Sequence, residues 1–251
     1  MTELGYLADM PSAYIRSFRA RIVALPPGGV VLDRTYFYPA GGGQPADLGT
    51  LQLGDTSMEV TDVTRSGASV FHRVRSSPVA SRAFSVGAEV EGRIDWARRH
   101  QHMRLHTGQH LLSARTFQRT GLRTQKAVLR GVEATIDLAG ELPEAAWEEL
   151  AQDMERVTQQ VHPVSIHHVA RAIWNASAAA GRSGLVPIPA HVDPVRVVDI
   201  EGEDTCPCGG THVRTMLEIG EVRMTPFTEP RSGSSRLGFT LVKPGATVPP
   251  E

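Results

Sequence analysis

The sequence predicts an α+β protein, with a small β-barrel-like domain over residues 1–92 followed by a two-layer α/β domain over residues 93–251. Three observations predict it. Apolar residues alternate with polar ones through most of the first ninety positions, the period of a half-buried strand. At Asp95 the period turns helical, and beyond it strands and helices mix without a regular βαβ order, which favours an α+β layer over a doubly wound sheet.

In chain order, Phe18, Ala20, Ile22 and Ala24 alternate with polar or cationic neighbours, and Pro26, Pro27, Gly28 and Gly29 turn the chain into the β-branched and aromatic run Val30 to Tyr38. A glycine-rich loop, AGGGQPADLG, covers 40–49. Short strands are expected at 51–53, 58–63 and 70–74, separated by the turn-forming stretches LGDTS and RSGA. Short strands at this spacing suggest a closed or nearly closed sheet, and the softer RSSPVASRAFSVGAE ends this part near residue 90. Asp95 is a candidate N-cap for a helix carrying Trp96, His100, Met103, His106, His110, Ala114 and Phe117 near one face, stopped by Gly121. Val128, Val132, Ala134, Ile136 and Leu138 fall on every second position as one strand, Arg130 excepted. Pro143 opens a second helix with Trp147, Leu150, Met154, Val157 and Val161 in period, ended by His162 and Pro163. Strands are expected at 164–169, 195–200, 218–224 and 237–242, with RAIWNASAAAGRSGL reading as helix followed by loop.

Composition narrows the class. Of 251 residues 41% are apolar and 21% charged, and the formal net charge is −1, so no global basic field advertises nucleic acid, although a local patch is compatible with it. The two cysteines, Cys206 and Cys208, flank a single proline and cannot staple a fold, which points to a reducing compartment. The first residues show neither a basic start nor an apolar run, and no stretch has the length a membrane span needs. A cytoplasmic protein with neither membrane nor DNA as partner is expected, and nothing in the pattern specifies an oligomer.

The chemistry concentrates in RLHTGQHLLS at 104–113 and CGGTH at 208–212. Residues four apart on a helix share a face, so His106 and His110 can reach one ion. Cys208 and His212 are also four apart, and three imidazoles with one thiolate form the tetrahedral nitrogen and sulfur set that zinc takes. A single HxxxH is as readily a packing or surface pair. The zinc proteases place a glutamate after their first histidine, but here that position is Thr107, so the protease base is missing. Two pairs in one chain favour a metal centre, structural or catalytic.

HTGQHLLSA and CGGTHV, preceded by TYFYPAGGGQPAD, closely resemble the AlaX proteins, freestanding relatives of the editing domain of alanyl-tRNA synthetase. The resemblance covers about Val30 to Phe239. The N-terminal β part with GGGQ, and no long C-terminal extension, resemble the medium-length type. It implies hydrolysis of mischarged tRNA(Ala) carrying serine or glycine, with Zn²⁺ held by His106, His110, Cys208 and His212. A closed set of four protein ligands leaves no place for water. Loose binding by His212, an expanded coordination shell, or a zinc that only positions the amino acid are the alternatives. Further roles follow from the same likeness: Gln125 for the amino group or a water, Thr35 for the serine hydroxyl, and Gly42, Gly43 and Gln44 for the 3′ end of tRNA or the editing domain. Thr211 and the amides of Gly209 and Gly210 are candidate donors to the ester oxygen. A threonine in a strand is most often a strand former, and Gln125 has an exposed loop position as its plainer reading. Cys206 is either a competitor for zinc or a spectator, and the spacing in CGGTH makes Cys208 the ligand. Arg98, Arg99, Arg104, Arg231 and Arg236 are candidates for phosphate contacts. A different class of reading is a tRNA-binding module whose zinc is structural and whose turnover is absent or directed elsewhere.

Overall fold

A computed structural model describes residues 1–75, 77, 82–177, 188–229 and 233–243. The chain forms two compact units, Met1–Gln101 and His102–Glu251.

In the first unit β2 (Ser17–Ala24), β3 (Gly29–Leu32), β5 (Gly49–Leu53), β6 (Thr56–Ser66), β7 (Ser69–Arg75) and β8 (Glu89–Ile94) close into a barrel of order β2-β3-β7-β6-β5-β8. Closure leaves no unpaired edge to attract another chain. Outside it, β1 (Glu3–Leu4) pairs in parallel with β4 (Arg34–Thr35), and α1 (Met10–Ala13) is capped by Asp9, whose carboxylate accepts the Ser12 amide at 2.8 Å. The alternation seen in β2 sends Phe18, Ala20 and Ile22 inward, where they meet Val30, Leu32, Phe37, Leu51, Met58, Val60, Val63, Val70 and Val90. A bulge between Val60 and Asp62 re-phases β6, so that Val63 joins Met58 and Val60 inside.

The glycine-rich loop of this unit folds into a tight turn. Gly41 and Gln44 exchange backbone hydrogen bonds of 3.1 and 2.9 Å around Gly42 and Gly43, whose φ values of +57° and +86° only glycine adopts cheaply. At its base Asp47 accepts the Tyr38 amide at 2.6 Å and forms a wholly buried ion pair with Arg99. The same guanidinium donates to the carbonyls of Ala13, at 2.8 Å, and Tyr36, at 2.5 Å.

The helix α2 (Trp96–Thr120) begins in the first unit and runs through the second. Asp95 caps it, accepting the Arg98 amide at 3.1 Å. The second unit contains a four-stranded antiparallel sheet of order β14-β15-β10-β9, built from β9 (Thr124–Arg130), β10 (Glu133–Leu138), β14 (Val222–Thr228) and β15 (Ser235–Leu241). Helix α3 (Glu144–Val157) packs on β14, and α2 meets β15 where Gly108 faces Phe239. A three-stranded sheet, β11-β12-β13, comprises Val164–Val169, Val195–Ile200 and Asp204–Pro207, and the short helix α4 (Arg171–Ala176) buries Trp174 against Val195 and Val197.

Three differences from the sequence expectation have physical causes. The single strand expected through Val128 to Leu138 is a hairpin: Gly131, at φ +56°, turns the chain, and Val132 is exposed at the tip. The α3 helix ends at Val157, so Val161 lies in solvent beyond it. Strands β8 and β13 were not expected: β8 does alternate, with Val90, Gly92 and Ile94 buried, but a central glycine leaves it only two apolar side chains, and the four residues of β13 hold too few periods. Most of the loop half of RAIWNASAAAGRSGL lies outside the described residues. Among the described residues no helix is long and apolar enough to cross a membrane.

Candidate metal centre

Every residue of α2 from His102 to Leu112 is buried. Met103, Leu105, Leu111 and Leu112 account for the apolar packing, but His102, Arg104, His106, Thr107, Gln109 and His110 are polar and equally enclosed. Buried polar groups are as a rule hydrogen-bonded, and the partners of His106, Thr107 and His110 among them lead to the site.

Four residues meet in one place. His106, His110, Cys208 and His212 present one ligand atom each, all within 4.8 Å of one another. The His106 and His212 ring centroids are 4.4 Å apart, and those of His110 and His212 4.7 Å. Cys208 Sγ lies 3.5 Å from His106 Nε2 and 3.4 Å from His212 Nε2.

The surrounding hydrogen bonds fix which nitrogen of each outer ring faces inward. Thr107 has one hydroxyl proton, given to the Met103 carbonyl at 3.0 Å, so toward the Val213 amide and His212 Nδ1, both at 3.2 Å, it acts as acceptor. His212 therefore carries its proton on Nδ1. His110 Nδ1 donates to Asp204 Oδ2 at 3.1 Å. In both rings Nδ1 is the nitrogen engaged outside the cluster and Nε2 is the one turned to it, the orientation that metal ligation needs.

Electrostatics separates the two cysteines. Burial opposes ionisation of the Cys208 thiol, but His106, His212 and His110 around it outweigh burial and hold its pKa well below the ordinary thiol value. The Gly210 amide also donates to Sγ at 3.3 Å. Burial likewise disfavours a charged His110, yet the Cys208 thiolate and Asp204 raise its pKa to about 10. His212 is pushed well down by burial and then by His106. Cys206 is pushed well up by burial, with the negative charge of Asp204 adding to it, and remains a thiol. Both cysteines are free. A thiolate with three imidazole nitrogens is a donor set that suits zinc in ligand type and number.

Other residues singled out by the sequence fall elsewhere. Gln125 is exposed near the start of β9, beside Thr124, whose hydroxyl meets Ser113 Oγ at 2.9 Å. Thr211 is wholly buried in the turn between two cluster members, and Gly209 is exposed there. The Gly210 amide, a candidate donor to an ester oxygen, is directed instead to the Cys208 sulfur. Thr35 is wholly buried in the first unit; it accepts the Phe37 amide at 3.1 Å and donates to His72 Nε2 at 2.9 Å. Gly42 and Gly43 are exposed at their turn while Gln44 is buried. Of the arginines considered for phosphate, Arg104 is buried and donates to the carbonyls of Ile219, at 2.9 and 2.7 Å, and Lys243, at 2.6 Å, and Arg99 is the buried partner of Asp47. Arg98 donates to the Ala46 carbonyl at 3.1 Å, Arg236 pairs bidentately with Asp137, and Arg231 lies outside the described residues. Sequence reasoning missed Thr107 and Asp204. The signal for Asp204 was its place in the every-second-residue series Asp204, Cys206, Cys208, invisible until β13 is known as a strand.

Comparison with known proteins now places this arrangement. Residues 13–98 match the family described as tRNA synthetases class II (A), and residues 195–238 match the threonyl and alanyl tRNA synthetase second additional domain. The chain is 30% identical over 249 residues to the alanyl-tRNA editing protein AlaX-M of Methanosarcina barkeri, covering 96% of this chain and 100% of that protein. It is 35% identical over 257 residues to an alanine–tRNA ligase of Pyrobaculum neutrophilum, of which it spans 28%, and 32% identical over 256 residues to an alanyl-tRNA editing protein of Mus musculus, of which it spans 58%. The chain belongs to the AlaX family of alanyl-tRNA editing proteins.

Proposed function

We propose that the protein is a trans-editing hydrolase that cleaves the aminoacyl ester of mischarged tRNA(Ala), with serine as the principal cargo and glycine as a second, at a zinc centre held by His106, His110, Cys208 and His212. The observation that carries this reading is the meeting of those four donors in one buried cluster, in a chain of the alanyl-tRNA editing family. Zinc bound there supplies a fixed positive charge and Lewis acidity toward the aminoacyl group.

The chain's own residues set the terms of the reaction. His212 is anchored by Thr107 and His110 by Asp204, which supports a fixed place for both rings over loose binding by His212. An aminoacyl ester is already activated, and a held substrate with an oriented water suffices for its hydrolysis. Gln125, exposed on β9, is assigned to orient the amino group or that water. Thr211 shapes the turn between Cys208 and His212, and the exposed Gly42–Gly43 turn, closed by Gln44, is assigned to the 3′ region of tRNA. The buried, engaged hydroxyl of Thr35 supports a role in the barrel before one toward serine. Both free cysteines are compatible with a reducing, cytoplasmic setting.

One observation favours a second reading. Four protein donors, two of the imidazoles anchored from outside, are the pattern of a structural zinc, which would make the protein a tRNA-binding module without this turnover. Release of radiolabelled serine from Ser-tRNA(Ala), with Ala-tRNA(Ala) in parallel, separates the two. Editing predicts rapid serine release, spared alanine and collapse of the rate in Cys208→Ala. A folded, zinc-loaded wild type that hydrolyses neither serine nor glycine esters would establish the binding module.

A further inference from the structure

Asp204 does more than close a surface ion pair. Its carboxylate is the acceptor for His110 Nδ1 at 3.1 Å, with the imidazole 3% and the carboxylate 17% exposed. It stands on β13, four residues before Cys208, so one short segment contributes both a cluster thiolate and the acceptor that orients a histidine from α2. The segment is held at a second point. Arg115 of α2 binds Glu203 bidentately at 2.7 and 2.6 Å, and Gln118 donates to the Glu203 carbonyl at 3.2 Å. Neighbouring residues of one turn thus dock along one helix, and only one of them touches a cluster member.

We propose that Asp204 is a positioning residue of the metal centre: by accepting the Nδ1 proton it locks His110 in the tautomer and ring orientation that aim Nε2 at the ion, while Glu203 and Arg115 merely hold the turn in place. Carboxylates placed behind a ligating histidine strengthen metal binding in this way, and their loss costs about 10- to 100-fold in affinity. Cys206 does not share the role. Its sulfur lies in the same neighbourhood as His110 and Asp204, but its hydrogen bond, at 3.6 Å, goes to the Pro207 carbonyl.

The inference rests on the zinc reading, and the test keeps the two apart. Zinc affinity is measured by competition with a chromophoric chelator for full-length wild type, Asp204→Asn and Glu203→Gln, and the visible spectrum of each is recorded after cobalt(II) substitution. Asp204→Asn should bind zinc about 10- to 100-fold more weakly with an altered cobalt spectrum, whereas Glu203→Gln, which loosens the turn and leaves the carboxylate on His110, should keep wild-type affinity and spectrum. Asp204→Asn with wild-type affinity and spectrum, or equal losses in both variants, overturns the positioning role. A wild type that binds no zinc overturns the metal reading itself and is recognised in that arm alone. Should Asp204→Asn fail to fold, ¹⁵N-histidine NMR of zinc-loaded wild type decides: His110 protonated on Nδ1 with a downfield hydrogen-bonded proton supports the role, and His110 protonated on Nε2 ends it.

Discussion

His72 shows how much a buried side chain can commit a small domain. Its Nδ1 donates to the Val30 carbonyl at 3.1 Å, and its Nε2 accepts the Thr35 hydroxyl, so the neutral ring is satisfied on both sides. Burial lowers its pKa from 6.5 to about 4, the Val30 carbonyl opposing only in part. Below pH 6.5 the unfolded chain takes up a proton that the folded one refuses. The stability this residue contributes is therefore complete above pH 6.5 and lost as the pH falls toward 4, by about 3 kcal/mol in all. A proton NMR titration of His72 with an apparent pKa near 4 is expected, and a value of 6.5 or above would contradict the assignment. Asp47 and Arg99 carry a similar commitment. Asp47→Ala would leave a buried guanidinium without its counter-charge, and chemical denaturation should show a loss of about 3–5 kcal/mol. Charge was plain in the sequence here and partnership was not. Arg99 and Arg104 look like phosphate ligands until their burial shows the guanidinium groups spent inside the protein.

Among the elements, α2 sets the geometry of the centre. Its period was legible, as were the Asp95 cap and the Gly121 stop, because they rest on local rules. The strands were legible where apolar side chains kept to every second position, as in β2, and were passed over where a glycine thinned the inward face, as in β8, or the strand was short, as in β13. Gly108 reveals a tertiary constraint no local rule contains. A Cβ there would lie 2.6 Å from Cζ of Phe239, which is wholly buried on β15. Alanine is the better helix former by about 1 kcal/mol, yet the overpacking should outweigh it, and Gly108→Ala is predicted to cost about 1–2 kcal/mol net. Adding Phe239→Leu should return part of the loss in urea denaturation. Full additivity of the two substitutions would show that the contact does not couple them.

For the whole molecule, the four-donor cluster forms because residues about a hundred positions apart, on α2 and after β13, fold against each other. The two pairs of ligand-type residues were visible as spacings, and their union was an expectation that the fold brings about. The hydrogen-bonded neighbours that orient them, Thr107 and Asp204, were not visible, since each depends on packing between elements. A net charge of −1 bears on the partner as well. Each neutralised phosphate contributes about 0.9 to the slope of log affinity against log salt, and a local patch on a near-neutral chain predicts a shallow slope, below about 4 for tRNA(Ala). A much steeper dependence in filter binding would contradict a local interface. The central claim, that one zinc ion at His106, His110, Cys208 and His212 is required for editing, is tested most directly by titrating metal-depleted protein with zinc while following serine release from Ser-tRNA(Ala). The account predicts a negligible starting rate that rises in proportion to added zinc and levels off at one equivalent per chain. Full hydrolysis by the metal-free protein would contradict it.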